Sequence, residues 1–165
     1  MRSTGGASFY PVAVLDLRSA RLDDPDALAL TEEVQAYYVE VYGGTDDDPI
    51  APEEFLPPQG GFLLGYEDGR PVAMGGWSFL PGSATRVKIR RMYVRPEARR
   101  HGSAAALLTR LEQDARDAGA EHVALTTGEP QVAAVHFYRS QGYDDVEPFG
   151  FYAHEPSSVH LGKAL

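Results

Sequence analysis

The 165-residue chain has no cysteine, which excludes a disulfide framework, a thiol nucleophile, Cys-ligated zinc and iron–sulfur clusters. Long apolar runs are also missing. No stretch reaches the length of a membrane span, and Met1 to Ser8 lacks the basic-then-apolar layout of a secretory signal, so a cytoplasmic protein with no membrane partner is expected. There is no internal repeat, no Gly-Lys-Ser/Thr phosphate loop and no Gly-x-Gly-x-x-Gly fingerprint. The histidines at 101, 122, 136, 154 and 160 show no metal-ligand spacing, so no metal is expected. Bases are scarce at the start of the chain. Residues 1–60 hold twelve acids against Arg2, Arg18 and Arg21, which accounts for the whole net charge of −9.

What is present is an ordinary globular composition, 43% hydrophobic and 24% charged, long enough for one well-buried core. We expect a single domain over residues 9–165, preceded by a disordered or loosely attached segment 1–8. Phe9 to Leu17 alternates like a strand. Asp23-Asp24-Pro25 opens a helix with apolar positions at Leu28, Leu30, Val34, Tyr37, Tyr38 and Val41, ended by Gly43-Gly44. A Pro- and Asp-rich loop follows, including Asp46-Asp47-Asp48, a run read as a solvated loop. Gly61–Glu67 and Pro71–Leu80 flank an Asp68-Gly69 turn and form a hairpin, with Thr85–Val94 as the next strand. Leu107, Leu108, Leu111, Ala115 and Ala118 recur at helical spacing, with Glu112–Arg116 as a surface pair. His122–Thr126 is a short strand, Pro130 starts a helix that Gly142 closes, and Val146–Ala153 and Ser158–Gly162 are strand-like. The order β-α-β-β-β-α-β-α-β-β implies an α/β protein with a mixed, largely antiparallel sheet flanked by helices.

One junction concentrates chemistry. Arg86, Lys88, Arg90, Arg91, Arg95, Arg99 and Arg100 face a single acid, Glu97, a local block of about +6 in an acidic protein. A duplex-binding protein would be basic over a whole face, so no nucleic acid partner is expected; a short block suits a smaller polyanion. Arg99-Arg100-His101-Gly102-Ser103-Ala104 then leads into a helix. Consecutive backbone N–H groups at a helix start, beside small residues and basic side chains, make an anion cradle. In the strand before it, Ile89 and Met92 are apolar but three apart, a slip of phase that marks a β-bulge. Tyr37, Tyr38, Tyr42, Trp77 and Phe79 are core residues or candidates to line an acceptor pocket.

Arg99-x-x-Gly102-x-Ala104 resembles the Arg/Gln-x-x-Gly-x-Gly/Ala acyl-CoA signature of the GNAT superfamily of N-acetyltransferases, flanked here by Met92-Tyr93-Val94-x-Pro96 and Ala106-Leu107-Leu108. Gln131-x-x-Ala134-x-x-x-Tyr138-x-x-x-Gly142-Tyr143 is similar to the superfamily's Asn-x-x-Ala-x-x-x-Tyr-x-x-x-Gly-Phe. The resemblance runs from about Phe9 to the end of the chain, and its last part is similar to a subgroup of small bacterial acetyltransferases of mostly unassigned substrate. It implies a GNAT-like twisted sheet with strands four and five splayed, and acetyl-CoA as co-substrate. The backbone of Arg100, His101, Gly102, Ser103, Ala104 and Ala105 would hold the pyrophosphate, with Arg99 and Gln131 beside it. Met92, Tyr93 and Val94 would meet the pantetheine arm. Tyr138 would protonate the leaving thiolate, and the acetyl group would pass directly to a small-molecule primary amine. Tyr38, Trp77, Lys88 and Thr126 are the candidate substrate residues.

The sequence departs from its relatives at the base. They read Glu-Ile-Lys-Arg-Met-Tyr-Val where this chain has Lys88 in the Glu position, and a second acidic position is Thr126 here. An ordinary ammonium accepts no proton, so Glu129, His136, His154 or a water chain stands as the substitute, or the substrate's amine is already neutral. The alternative is an acyl-CoA-binding sensor or degenerate acetyltransferase with weak or no catalysis. Aminoglycoside, amino acid, polyamine and protein N-terminus all fit as acceptor, and a homodimer joined along the sheet or the last strands is compatible with the chain.

Overall fold

The computed structural model describes residues 14–99 and 101–165. The expected loose segment 1–8, the Phe9–Ala13 part of the first strand and Arg100 lie outside the described residues. The elements in chain order are β1 (Asp16–Ser19), α1 (Pro25–Tyr42), β2 (Gly60–Glu67), β3 (Arg70–Phe79), β4 (Arg86–Val94), α2 (Ser103–Asp117), β5 (His122–Gly128), α3 (Val132–Ser140), β6 (Asp144–Asp145) and β7 (Ser158–Ala164). The strands form one sheet in the order β1-β2-β3-β4-β5-β7-β6. Among the described strands only β4 and β5 run parallel.

Local chemistry explains the boundaries. The Asp24 carboxylate accepts from the Asp26 N–H at 2.9 Å and Pro25 occupies the first turn of α1, so an otherwise unpaired helix donor is satisfied. Gly43 ends the helix in the left-handed region, its N–H donating to Val39. Asp68 and Gly69, at φ +49° and +76°, give the β2–β3 hairpin the two left-handed residues that match strand twist.

Period-two alternation sorts the strands between two layers. Phe62, Leu64 and Met74 meet Ala27, Leu30 and Val34 of α1 on one face. Leu63, Val87 and Leu125 meet Leu107, Leu108 and Leu111 of α2 and Tyr138 of α3 on the other. Each fully buried leucine contributes about 2 kcal/mol of transfer free energy.

Four local expectations are corrected. Leu28, placed on the apolar side of α1, is 53% exposed, and Ala27 takes its place in the core. Glu112 is buried, its carboxylate receiving the Tyr143 hydroxyl at 3.0 Å and the Lys163 ammonium at 2.8 Å; Arg116 bonds Gln113 instead. Pro130 precedes α3, whose N-cap is Gln131. Val146–Ala153 forms no strand, because Pro148 lacks a ladder donor and Gly150 turns at φ +74°; of this last stretch, Asp144–Asp145 pairs with β7 and the Val146 N–H adds one bond to the His160 carbonyl at 3.0 Å.

Candidate active site

β4 and β5 are hydrogen-bonded only where Arg86–Lys88 lies beside His122–Ala124, so beyond Lys88 and Ala124 the strands part. The bulge expected in β4 is there. Gly76 faces Arg90 and Met74 faces Tyr93, leaving Arg91 and Met92 opposite Gly75 alone. Arg91 absorbs the extra residue at φ +58°, a conformation costing an L residue about 1 kcal/mol. A side chain on Gly75 or Gly76 would strike Leu111 or Phe55 and Phe62, so the inner β3 edge of the bulge is tightly packed.

The split opens into three adjoining hollows. One lies toward α2 and is bordered by Met92, Tyr93, Val94, Arg99, Ala104 and Tyr138. A central one is lined by Lys88, Arg91, Thr126, Tyr138, Phe149 and Tyr152, and an outer one by Tyr42, Asp46, Thr126, Gln131, Tyr152 and Glu155. Tyr38 and Gln131 border all three. Gln131 donates to the Tyr42 hydroxyl at 2.8 Å, tying the start of α3 to the end of α1.

α2 begins at Gly102, φ +76°, with no side-chain cap; its first intrahelical bond runs from the Ala106 N–H to the Gly102 carbonyl. The N–H groups of Ser103, Ala104 and Ala105 therefore point out of the helix end, where its dipole favours an anion. A Cβ on Gly102 would meet nothing within 4 Å, so glycine serves the backbone angle here and the space beside it is open. His101 is exposed, Ser103 is buried against Glu67, and Arg99 folds back to the Val94 carbonyl at 2.9 Å.

Tyr138 stands where the α2-side and central hollows meet, 8% exposed. Burial pushes its hydroxyl well above the usual tyrosine range, so it is protonated at neutral pH. Thr126, on the central hollow, has a buried partner that the sequence reading missed, His160. Thr126 and His160 are directly opposite in the antiparallel β5–β7 ladder, with Thr126 Oγ1 3.1 Å from His160 Nδ1. The Phe149 N–H, 3.5 Å away, is directed at the same nitrogen, an arrangement that fits a neutral ring with the lone pair on Nδ1, the proton on Nε2 and the threonine hydroxyl as donor. Burial holds the His160 pKa below 6.5, outweighing the Tyr152 backbone carbonyl, which favours the charged ring. The signal for it was strand register, which a motif search does not contain.

Residues 27–143 match the family model of the GNAT acetyltransferases. The chain belongs to the GNAT acetyltransferase family. It is 30% identical over 148 residues to an IAA acetyltransferase of Azospirillum brasilense, spanning 90% of this chain and 95% of that one. Among solved structures it is similar to a Klebsiella pneumoniae protein assigned as an acyl-CoA N-acyltransferase, with TM-score 0.77, 24% identity and coverage of 92% and 97%. It is also similar to the PaiA N-acetyltransferase of Thermoplasma acidophilum in complex with coenzyme A, with TM-score 0.68, 14% identity and coverage of 92% and 99%. Acyl transfer from acetyl-CoA is the chemistry of this family.

In this GNAT protein the remaining candidates separate. Tyr38, Lys88 and Thr126 reach the central hollow. Trp77 does not: it sits opposite Ile89 in the β3–β4 ladder, on the α2 face, 5% exposed and edge-on to Phe79. Alternation from Ser78, which pairs with Lys88, turns it away from the cleft. Tyr37 borders the α2-side hollow. The basic block is also divided. Arg90 pairs with Asp48 at 3.2 Å and Arg95 with Glu33 at 2.7 Å, so these charges answer the acidic first third of the chain and not a ligand. The acidic loop is correspondingly ordered, Asp46 accepting from the Tyr152 hydroxyl at 2.7 Å. Among the described residues no group of three His, Asp or Glu is placed to hold a metal, and no helix is long and apolar enough to cross a membrane.

Proposed function

We propose that this protein transfers an acetyl group directly from acetyl-CoA to a primary amine of a small molecule. The observation that carries the reading is the meeting of three features at one cleft: the open N-terminus of α2, the parted strands β4 and β5, and Tyr138 on the same hollow as Thr126, whose hydroxyl meets the buried His160 behind it. Acetyl-CoA supplies the acyl group already activated as a thioester. The N–H groups of Ser103, Ala104 and Ala105, with Arg99 and His101 near them, suit its pyrophosphate. Met92, Tyr93 and Val94 border the channel that its extended arm would follow.

Two proton movements complete the transfer. The amine gives a proton to Thr126 Oγ1 as the threonine hydroxyl hydrogen passes to His160 Nδ1, and Tyr138 Oη donates to the departing sulfur. His160 does this neutral, as its lowered pKa requires, and so takes the place of the acid that relatives carry at the Lys88 and Thr126 positions. With no cysteine in the chain, the acyl group passes to the amine with no thiol of the protein in between.

Calorimetry with acetyl-CoA and thiol release across a panel of small amines test this. Saturable binding and amine-dependent release are expected. Absence of acetyl-CoA binding up to low-millimolar concentration sinks the reading; binding without release from any amine leaves a sensor.

A further inference from the structure

The central hollow contains charge that the proposed proton transfers do not use. Arg91, held at φ +58° by the bulge, lines it together with Lys88. Two of the three Arg91 guanidinium nitrogens, Nε and Nη1, are closed off from solvent and have no hydrogen-bond partner among the described residues, so a ligand in the hollow reaches them only if the side chain turns toward it. Among the described residues neither Arg91 nor Lys88 forms an ion pair there. The two carboxylates of the same hollow are already engaged. Asp48 pairs with Arg90, and Asp46 accepts from the Tyr152 hydroxyl and the Asp48 N–H. The hollow is therefore lined by three cations, Lys88, Arg90 and Arg91, against the two carboxylates, a net charge of about +1, and Lys88 and Arg91 are the cations that no carboxylate pairs.

Burying a guanidinium without a counterion is costly, and a strained backbone residue is retained where surrounding structure demands it. Both costs fall on Arg91. The cradle at α2 is not its purpose, since the α2-side hollow is bordered by Arg99 and not by Arg91 or Lys88. A purely cationic amine would be repelled by the pair. An amine that also bears a carboxylate would bring the missing anion with it.

We infer that Arg91, assisted by Lys88, anchors a carboxylate of the acceptor, so that the substrate class is an amino carboxylate, the α-amino acids being its smallest members. The inference rests on the acetyltransferase reading and adds the acceptor to it. The guanidinium suits a planar carboxylate better than the point charge of an ammonium would. Phe149 and Tyr38, on the same hollow, offer apolar surface to the acceptor's remaining part.

Matched pairs decide it: α-amino acids against the amines left by their decarboxylation, such as L-phenylalanine against phenethylamine and L-tyrosine against tyramine, assayed by thiol release at saturating acetyl-CoA. The amino acid of a pair is expected to exceed its amine in kcat/KM by roughly tenfold or more. Arg91→Gln should erase that preference by raising the amino-acid KM, with Arg91→Lys restoring part of it and acetyl-CoA affinity by calorimetry unchanged. Lys88→Gln, which leaves the bulge intact, should move the same KM in the same direction. Equal use of both members of each pair, or no use of any amino acid, overturns the inference. So does an Arg91→Gln loss of kcat shared by both members, which would place Arg91 at the acyl oxygen. Loss of acetyl-CoA binding by the wild-type protein would instead be a failure of the underlying reading.

Discussion

Tyr138 and His160 have opposite assignments because burial acts on opposite charges. A tyrosine ionises to an anion and a histidine to a cation, so desolvation raises the first pKa and lowers the second. One side chain is thereby kept as a donor and the other as an acceptor at the same pH. Tyr138→Phe removes only an oxygen and should lower kcat by about 10²-fold while leaving the calorimetric affinity for acetyl-CoA within about twofold. His160 makes a pH prediction with a definite sign. Its folded pKa lies below the unfolded value of 6.5, so its contribution to stability is present above 6.5 and is lost as pH falls through the folded pKa. Thermal melts should show the wild type losing more stability between neutral pH and about pH 5 than His160→Gln does. The kcat profile should have an acid limb with its midpoint below about 6.5 that the variant lacks.

At the scale of elements, the site is made of ends and interruptions: the last hydrogen-bonded pair of β4 and β5, the bulge at Arg91, and the first turn of α2. The helix end was readable from Gly102 and the small residues after it. The bulge was readable from the slipped phase of Ile89 and Met92. Neither signal said where the helix end would lie relative to the bulge. Gly102→Ala tests the first of these. The space around Gly102 is open, so the cost is the left-handed backbone, about 1 kcal/mol, or a melting point lower by about 3 °C. If the backbone relaxes by turning its amides, the dissociation constant for acetyl-CoA should rise by roughly tenfold. An unchanged affinity would take the α2 N-terminus out of the binding site.

Across the whole molecule the acidic first third and the basic block meet. Arg90 is nearly buried, its guanidinium donating to the carbonyls of Asp48 and Pro49 and pairing with Asp48 and, at 3.7 Å, with Glu54. It thereby pins the loop after α1 over the sheet. Arg90→Ala should cost about 2 kcal/mol in urea unfolding, since both carboxylates keep some contact with water. It should raise the acceptor KM several-fold with little change in the binding of acetyl-CoA, because the loop borders the central and outer hollows and not the one beside α2. Equal loss of both would mean that the loop supports the whole cleft.

The sequence by itself determined the class of fold, the glycine-led start of α2 and the placement of Tyr138 on the helix before Gly142, because these rest on short-range pattern: period-two and helical alternation, Asp24 and Gly43 as caps, Gly102 before a run of small residues. Only the tertiary structure decided which distant residues share the cleft. Trp77 and Ser78 are neighbours in the chain and lie on opposite faces of the sheet. Thr126 and His160 are 34 residues apart and lie in direct register. The basic block, one run in the chain, divides in space between structural ion pairs at Arg90 and Arg95 and unanswered charge at Lys88 and Arg91. The physical reason is that local propensity acts over a turn or a pleat, while burial and electrostatic pairing depend on strand order, and the order β4-β5-β7 exists only in the folded sheet.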